Sequence, residues 1–551
     1  MSHRNAVLLA VLAASAIART AAAAPAPCAS ATFAGLPDTT ITSATTASAD
    51  PLSGAPLPPY CRVLGVIHPL GLTGESQIGF ETWLPLSGWN GKFNTVGGGG
   101  FAGSISYDAL DRALLRGYAA ASTDTGHIGG DASWAFGHPE KVIDFGPRSI
   151  HVTTQVSKAI VRAFYGERPR YSYYSGCSTG GRQGLMEAQQ FPEDFDGWVV
   201  GAPANFWTHL LASAAWGFQA HLVSAPLDRA HQPSWFGPEL MSTLEAAVLA
   251  KCDRADAGDS IPGDGILQDP RKCDFNTSSL TSAGFTPAQA DAVAKIYAGP
   301  KDPRTGKQIY PGLLPGAEGG PGGWIPWITG GAPGGALLDF FSTQYFANFV
   351  FTPTYDLFTY DFHHDQRIND RSIGRYINAI DPDLRPLKSR GAKILMYHGF
   401  NDPAISAQNS INYYESVVSF FTGRRDTRAE ALREVQEFYR LFMMPGMQHC
   451  GGGPGPNAIG APFALPATVM DAEHDVLSAL ERWVERGTPP SKLIATKYAG
   501  DNPAGSIVMQ RPVCPYPKEA VFVGRRGDST NVAANFECRA PKGQGDDGDG
   551  D

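Results

Sequence analysis

Between residues 80 and 205 the chain alternates short apolar runs with longer segments of helical character. Residues 80–84, 92–96, 117–122, 171–175 and 197–201 read as strands, and 148–164 and 182–190 read as helices. The rhythm resumes with a strand at 393–397, a helix at 411–421, a strand at 438–443 and a helix at 471–485. Strands that alternate with helices argue for an α/β fold, a mostly parallel sheet with helices on both faces. From 205 to 382 the alternation stops. That stretch holds a Gly/Pro-rich tract at 312–335 and a dense aromatic run at 340–362. An insertion between two sheet strands, folded as a cap over the strand ends, is the economical reading. The expected division is therefore a first core part at 25–204, a lid at 205–382 and a second core part at 383–542.

Both ends of the chain read differently from the middle. His3 and Arg4 precede an apolar run at 7–18, and Ala21 to Ala24 follow it. This is the layout of a cleavable export signal over residues 1–24. A run of this length is too short to span a bilayer, which weighs against an anchor. Residues 543–551 are Gly/Asp low complexity and are expected to form a disordered acidic tail.

The 551 residues carry 44 basic and 53 acidic side chains, with no block of five Lys/Arg. A nucleic-acid partner is not expected, and neither is a membrane partner for the mature chain. Oligomeric state is not legible. The length points to two domains, or to one domain with a large insertion.

Export changes how the eight cysteines are read. An even count in an oxidising compartment suggests four disulfides, and the lack of any CxxC pair argues against a zinc ribbon. Proximity suggests Cys28–Cys61, Cys252–Cys273 and Cys514–Cys538, leaving Cys177 and Cys450; spacing alone leaves connectivity open.

Candidate chemistry centres on Gly176-Cys177-Ser178-Thr179-Gly180, a G-x-S-x-G pattern between a strand and a helix. Such a turn lifts the serine hydroxyl clear of the sheet. A serine needs a base, and the base needs an orienting acid, in the chain order Ser, acid, His for this fold. Asp402 and His449 follow two later strands at their carboxyl ends, where open α/β sheets place their sites. His398 lies too close to its strand to be the base, and Asp471 reads as a helix-terminus residue. Cys177 adjoins the serine and Cys450 adjoins the histidine, so one bridge between them would tether nucleophile to base. Gly97 to Gly100 follow a strand, and Gly99 or Gly100 together with Thr179 are the candidate oxyanion donors. The competing phosphate-loop reading lacks the Lys-Ser/Thr that such a loop requires.

Gly176-Cys177-Ser178-Thr179-Gly180-Gly181, the Asp402 loop, Pro445-Gly446-Met447-Gln448-His449-Cys450 and Arg511-Pro512-Val513-Cys514-Pro515-Tyr516-Pro517 together resemble the tannase/feruloyl esterase family. That family also includes mono(2-hydroxyethyl) terephthalate hydrolases. The resemblance implies an α/β-hydrolase core with a large lid, a Ser178–His449–Asp402 triad, the Cys177–Cys450 bridge and the three local bridges. It further implies a structural calcium in the lid at Asp253, Asp256, Asp264 and the carbonyl of Ile266, with no organic cofactor. With Asp259, four carboxylates cluster there, which suits a hard cation. The 257–263 connection is longer than usual, which leaves the remaining backbone ligand open, and a solvated acidic loop is the alternative.

The expectation is a secreted serine esterase acting on esters of phenolic carboxylic acids. Trp324, Trp327, Phe340, Phe341, Tyr345, Phe346 and Phe349 are the candidate pocket walls, half of them expected to be ordinary lid packing. A terephthalate monoesterase is the alternative, with a peptidase or a non-catalytic binder further off. A terephthalate carboxylate calls for a cation. Between Gln308 and Gln366 the chain has no Lys or Arg, although Arg367, Arg371 and Arg375 follow.

Overall fold

A computed structural model describes residues 25–541 except 72, 224–227, 258, 424–426 and 463. The expected signal and the acidic tail lie outside the described residues. Nine strands form one sheet: β1 Thr39–Ala49, β2 Pro56–Ile67, β3 Ile78–Pro85, β4 Lys92–Val96, β5 Ala119–Thr123, β6 Tyr171–Cys177, β7 Gly197–Gly201, β8 Lys393–Gly399 and β9 Tyr439–Met444. Their order is β1-β2-β3-β5-β4-β6-β7-β8-β9. The β4, β6, β7, β8 and β9 pairings are parallel, and β5 joins β4 in parallel, while β1, β2 and β3 pair antiparallel.

The alternation marks every parallel strand, with ends shifted by two residues or fewer. The long β1–β2 hairpin is the departure. Its first strand is mostly open to solvent, so it lacks the continuous apolar run that signals a buried strand. Two short antiparallel pairs, β10 Leu493–Tyr498 with β11 Ile507–Val513 and β12 Glu519–Phe522 with β13 Phe536–Arg539, close the described chain.

Helices cover both faces of the sheet. Ile150, Ile160, Val161 and Phe164 of the Ser149–Tyr165 helix pack on one side, with Leu185 and Met186. Leu110, Leu114, Leu480 and Trp483 pack on the other. The last helix starts at Val476 rather than near 471. Asp475 caps it by accepting from the amide of Ser478, and Asp471 instead holds a turn before it, accepting from Glu473 and His474.

The segment between β7 and β8 adds no strand to this sheet. It forms the helices Trp207–His221, Pro238–Cys252, Pro287–Ala298, Leu337–Tyr345 and His364–Ile377. Part of it has its own core around Phe236, Leu244, Val293 and Trp324. Its remaining apolar residues, among them Trp207, Tyr345 and Phe346, pack with Phe101, Trp134 and Phe145 of the sheet domain. Four disulfides form: Cys28–Cys61, Cys177–Cys450, Cys252–Cys273 and Cys514–Cys538. Among the described residues no helix is long and apolar enough to cross a membrane.

Candidate active site

β6 ends at Cys177, and the Thr179–Gln190 helix begins two residues later. Ser178 alone makes the turn, at φ 64° and ψ −123°, a left-handed conformation that a side chain adopts only under strain. The strained turn is held from both sides. The Ser178 amide donates to the Gly201 carbonyl at 3.0 Å, and the Ser178 carbonyl accepts from the amides of Arg182 and Ala204. Close approach explains the flanking glycines. A Cβ on Gly176 would stand 2.6 Å from the Gly180 carbonyl oxygen, and one on Gly180 would stand 3.0 Å from that of Gly98.

Asp402 sits on the loop after β8 and is fully buried. One carboxylate oxygen accepts from the amides of Ala404 at 2.8 Å and Ile405 at 2.9 Å. The other lies 2.7 Å from His449 Nδ1. Burial by itself would raise this carboxyl. The adjacent His449 and the hydrogen bonds from His398 and His449 outweigh it and hold Asp402 well below the usual carboxylate range. His398, the rival histidine, is also fully buried and places Nε2 3.1 Å from the same Asp402 oxygen. Its other nitrogen is taken by the Ser410 hydroxyl at 2.7 Å. His398 therefore braces the acid and does not face the serine.

Asp402 holds His449 through Nδ1, and His449 Nε2 lies 3.8 Å from the Cys450 sulfur. Trp327 packs edge-on against the His449 ring, with centroids 4.8 Å apart. The Cys177–Cys450 bridge joins the residue before the serine to the residue after the histidine, with Cα atoms 6.1 Å apart. It closes a span of 273 residues. In the loop-entropy model, closure on that scale contributes about 6 kcal/mol.

Ser178 and His449 open into one cavity of about 60 Å³ with Gly100 and Thr179. The Thr179 hydroxyl donates to the Gly100 carbonyl at 2.5 Å, clasping the glycine loop to the nucleophile turn. Gly97 and Gly98 spend their amides on Ser175 and Gln183. The Gly99, Gly100 and Thr179 amides take no acceptor among the described residues, and of these three residues Gly100 and Thr179 reach the cavity wall. Two backbone donors without an acceptor thus border the cavity that holds Ser178.

The rest of the cavity is apolar: Ala204, Trp207, Leu210, Leu211, Trp327, Leu338, Phe341, Ala404 and Ile405. Of the seven aromatic candidates, Trp327 and Phe341 line it. Trp324 packs against Tyr297 and Phe236 within the insertion. Tyr345, Phe346 and Phe349 are buried among other rings, and Phe340 points outward. Helical geometry decides this, since neighbours on one helix face different ways. Sequence reasoning missed Trp207, Leu210 and Leu211, which form one face of the Trp207–His221 helix. The aromatic density that signalled the pocket lies elsewhere in the chain. Behind Trp207 sits Arg182, fully buried, stacked 5.2 Å from the Trp207 ring and 4.4 Å from Phe145. Burial pushes its guanidinium down to about 9.

Among the described residues, His449 is the one ionisable side chain that lines the catalytic cavity. Arg367, Arg371 and Arg375 lie exposed on the His364–Ile377 helix, and Arg375 borders a different surface cleft.

In the insertion, Asp253 accepts from the amides of Gly263 at 2.6 Å and Gly265 at 2.8 Å. Asp264 accepts from the amide of Ile266 and pairs with Arg511 at 2.6 Å. Burial pushes the Asp259 carboxyl up to about 6, and the charges of Asp253 and Asp264 add to the rise. Asp256 projects into solvent, paired with Arg254. The Ile266 carbonyl accepts from Gln268 at 3.2 Å. Asp253 and Asp264 thus lie near enough to Asp259 to raise its carboxyl, but both Asp253 oxygens are bonded to backbone amides and Asp264 is paired with Arg511, and among the described residues these carboxylates do not form a group with ligand oxygens within 4.8 Å of one another.

A family model described as tannase and feruloyl esterase matches residues 61–539. An uncharacterized esterase of Xanthomonas campestris pv. campestris is 41% identical, covering 98% of this chain and 95% of its own length. A probable feruloyl esterase B-2 of Aspergillus flavus is 32% identical, covering 82% of this chain and 83% of its own. Among solved structures, feruloyl esterase B from Aspergillus oryzae superposes with a TM-score of 0.79 at 28% identity, over 92% of this chain and 97% of that one. With the serine turn, the buried acid and the apolar cavity in place, these likenesses settle the class: the chain is a carboxylic ester hydrolase and belongs to the tannase and feruloyl esterase family.

Proposed function

We propose that the protein is an exported esterase that releases phenolic acids, of feruloyl or galloyl type, through an acyl-enzyme on Ser178. The observation that carries the substrate choice is the catalytic cavity, apolar and free of any Lys or Arg. Ser178 Oγ attacks the ester carbonyl carbon while His449 Nε2 takes its proton. The carbonyl oxygen, now negative, accepts from the amides of Thr179 and Gly100. Collapse of the tetrahedral intermediate breaks the bond to the alcohol, which leaves with the proton from His449. Water, deprotonated by His449, then attacks the acyl-enzyme, and the acid departs. Four disulfides and the signal-like residues 1–24 support export to an oxidising compartment.

A phenolic acyl group brings no second charge and suits an apolar slot. A terephthalate monoester brings a carboxylate that would lie in this cavity without a cation. That mismatch costs at least about 1.4 kcal/mol, or tenfold. The expected result is a kcat/KM at least about tenfold higher for methyl ferulate or a galloyl ester than for a terephthalate monoester. A peptide assayed alongside should not be cleaved. A terephthalate monoester turned over faster than both phenolic esters would overturn the substrate choice.

A calcium ion held by Asp253, Asp256, Asp264 and the Ile266 carbonyl would tie the 253–266 loop to the insertion's core, with Asp256 turning from Arg254 and Asp264 from Arg511. Its contribution is structural, because these carboxylates do not line the catalytic cavity. Chelation should therefore lower Tm while leaving kcat at assay temperature close to its original value. An unchanged Tm in chelator, with no calcium by elemental analysis, would remove the site.

A further inference from the structure

Beside the catalytic cavity lies a second, smaller one of about 30 Å³, room for a hydroxyl-sized group, and the two share Leu210, Leu338 and Ala404 as lining residues. The catalytic cavity is apolar, whereas the second one holds buried polar groups with nothing to bond. Tyr310 is 2% exposed and its hydroxyl has no partner. His221 is 1% exposed; its Nε2 lies 3.3 Å from Asp339 Oδ2, and its Nδ1 has no partner. Both side chains line the second cavity. Buried polar atoms in folded proteins are nearly always bonded, so two residues that line one cavity and each carry an unpaired atom call for an explanation.

The chemistry of the pair is specific. The Asp339 carboxylate fixes the proton of His221 on Nε2, which leaves Nδ1 as a lone-pair acceptor. Burial, with the Asp402 charge adding, holds the Tyr310 phenol above its ordinary range, so it stays an O–H donor. One acceptor and one donor are what a phenolic hydroxyl needs, because it donates one hydrogen bond and accepts another. We infer that the second cavity is the subsite for a ring hydroxyl at the far end of the acyl group, which donates to His221 Nδ1 and accepts from Tyr310 Oη. Leu210 and Leu338, which line both cavities, would flank the aromatic ring. This inference rests on the phenolic-ester reading above and adds the group that the enzyme recognises.

The test compares methyl p-hydroxycinnamate with methyl cinnamate, which differ only in that hydroxyl. Wild type should favour the hydroxylated ester in kcat/KM. Tyr310→Phe should reduce that preference about tenfold, mostly through KM, with Tm unchanged or higher because an unpaired buried hydroxyl is removed. A second variant approaches from the other wall. A Cβ on Gly217, which also lines the second cavity, meets no atom within 4 Å. Gly217→Leu should fill the chamber and reduce the same preference by a similar factor. Binding of both esters to Ser178→Ala protein, with and without Tyr310→Phe, separates recognition from turnover. Hydroxyl-dependent binding without turnover in wild type would sink the esterase reading and leave the subsite standing. Turnover with a preference that neither variant moves would overturn the subsite, and failure of the esters to bind at all would overturn both.

Discussion

Ser178→Ala protein should fold normally and lose ester hydrolysis by a factor on the order of a million in kcat, the scale seen when a triad serine is removed. The fold should survive because Ser178 makes its structural contacts through backbone atoms, to Gly201, Arg182 and Ala204. What remains above the uncatalysed rate should reflect the Gly100 and Thr179 amides and the apolar cavity. A companion variant separates strain from chemistry. Ser178→Gly removes the side chain from a left-handed turn and should be as inactive as Ser178→Ala, yet raise stability by about 1 kcal/mol. Substantial turnover by pure, folded Ser178→Ala protein would remove Ser178 from the chemistry.

Asp402→Asn should lower kcat by about 10⁴ with little change in KM. The asparagine oxygen can still accept from the Ala404 and Ile405 amides, so the loop should hold. Its amide group then faces His449 Nδ1 as a donor. That turns Nδ1 into the acceptor and places the ring proton on Nε2, where the base should be. Stability gives an independent readout. The Asp402 carboxyl is held below its ordinary range in the fold, so its ionisation stabilises the native state above the unfolded carboxylate pKa of about 4. That stability is lost as pH falls through the depressed native value. The wild type should therefore exceed the variant in stability most near neutrality, and the gap should narrow in acid. An Asp402→Asn enzyme within tenfold of wild-type kcat would exclude Asp402 as the orienting acid.

Much of this was legible in one dimension because it rests on local rules. Parallel strands buried on both faces leave continuous apolar runs, so β4, β6, β7, β8 and β9 show in the sequence. The Gly176–Gly180 turn announces itself because only glycine fits where backbone approaches backbone. Asp402 and His449 could be picked out because this fold puts its chemistry at the carboxyl ends of strands. The cysteines beside Ser178 and His449 carried long-range information, since a disulfide records a spatial contact in two sequence positions.

What the tertiary structure alone decided concerns which side of a helix faces what. The aromatic run at 340–362 is equally apolar throughout, yet Phe341 reaches the substrate cavity while Tyr345 and Phe346 are buried in the insertion. That choice follows from the rotation of one helix against its neighbours, which composition does not encode. The same holds for the carboxylates of 253–264: hydrogen bonds to backbone amides turn Asp253 and Asp264 inward beside Asp259, and Asp256 swings out to Arg254. His398 and Asp402 lie four residues apart, but whether the histidine serves as base or brace depended on where Ser410 stood. The unpaired atoms of His221 and Tyr310, 89 positions apart in the sequence, come to line one cavity only when the insertion folds on itself, because hydrogen-bonding need is a property of the assembled interior.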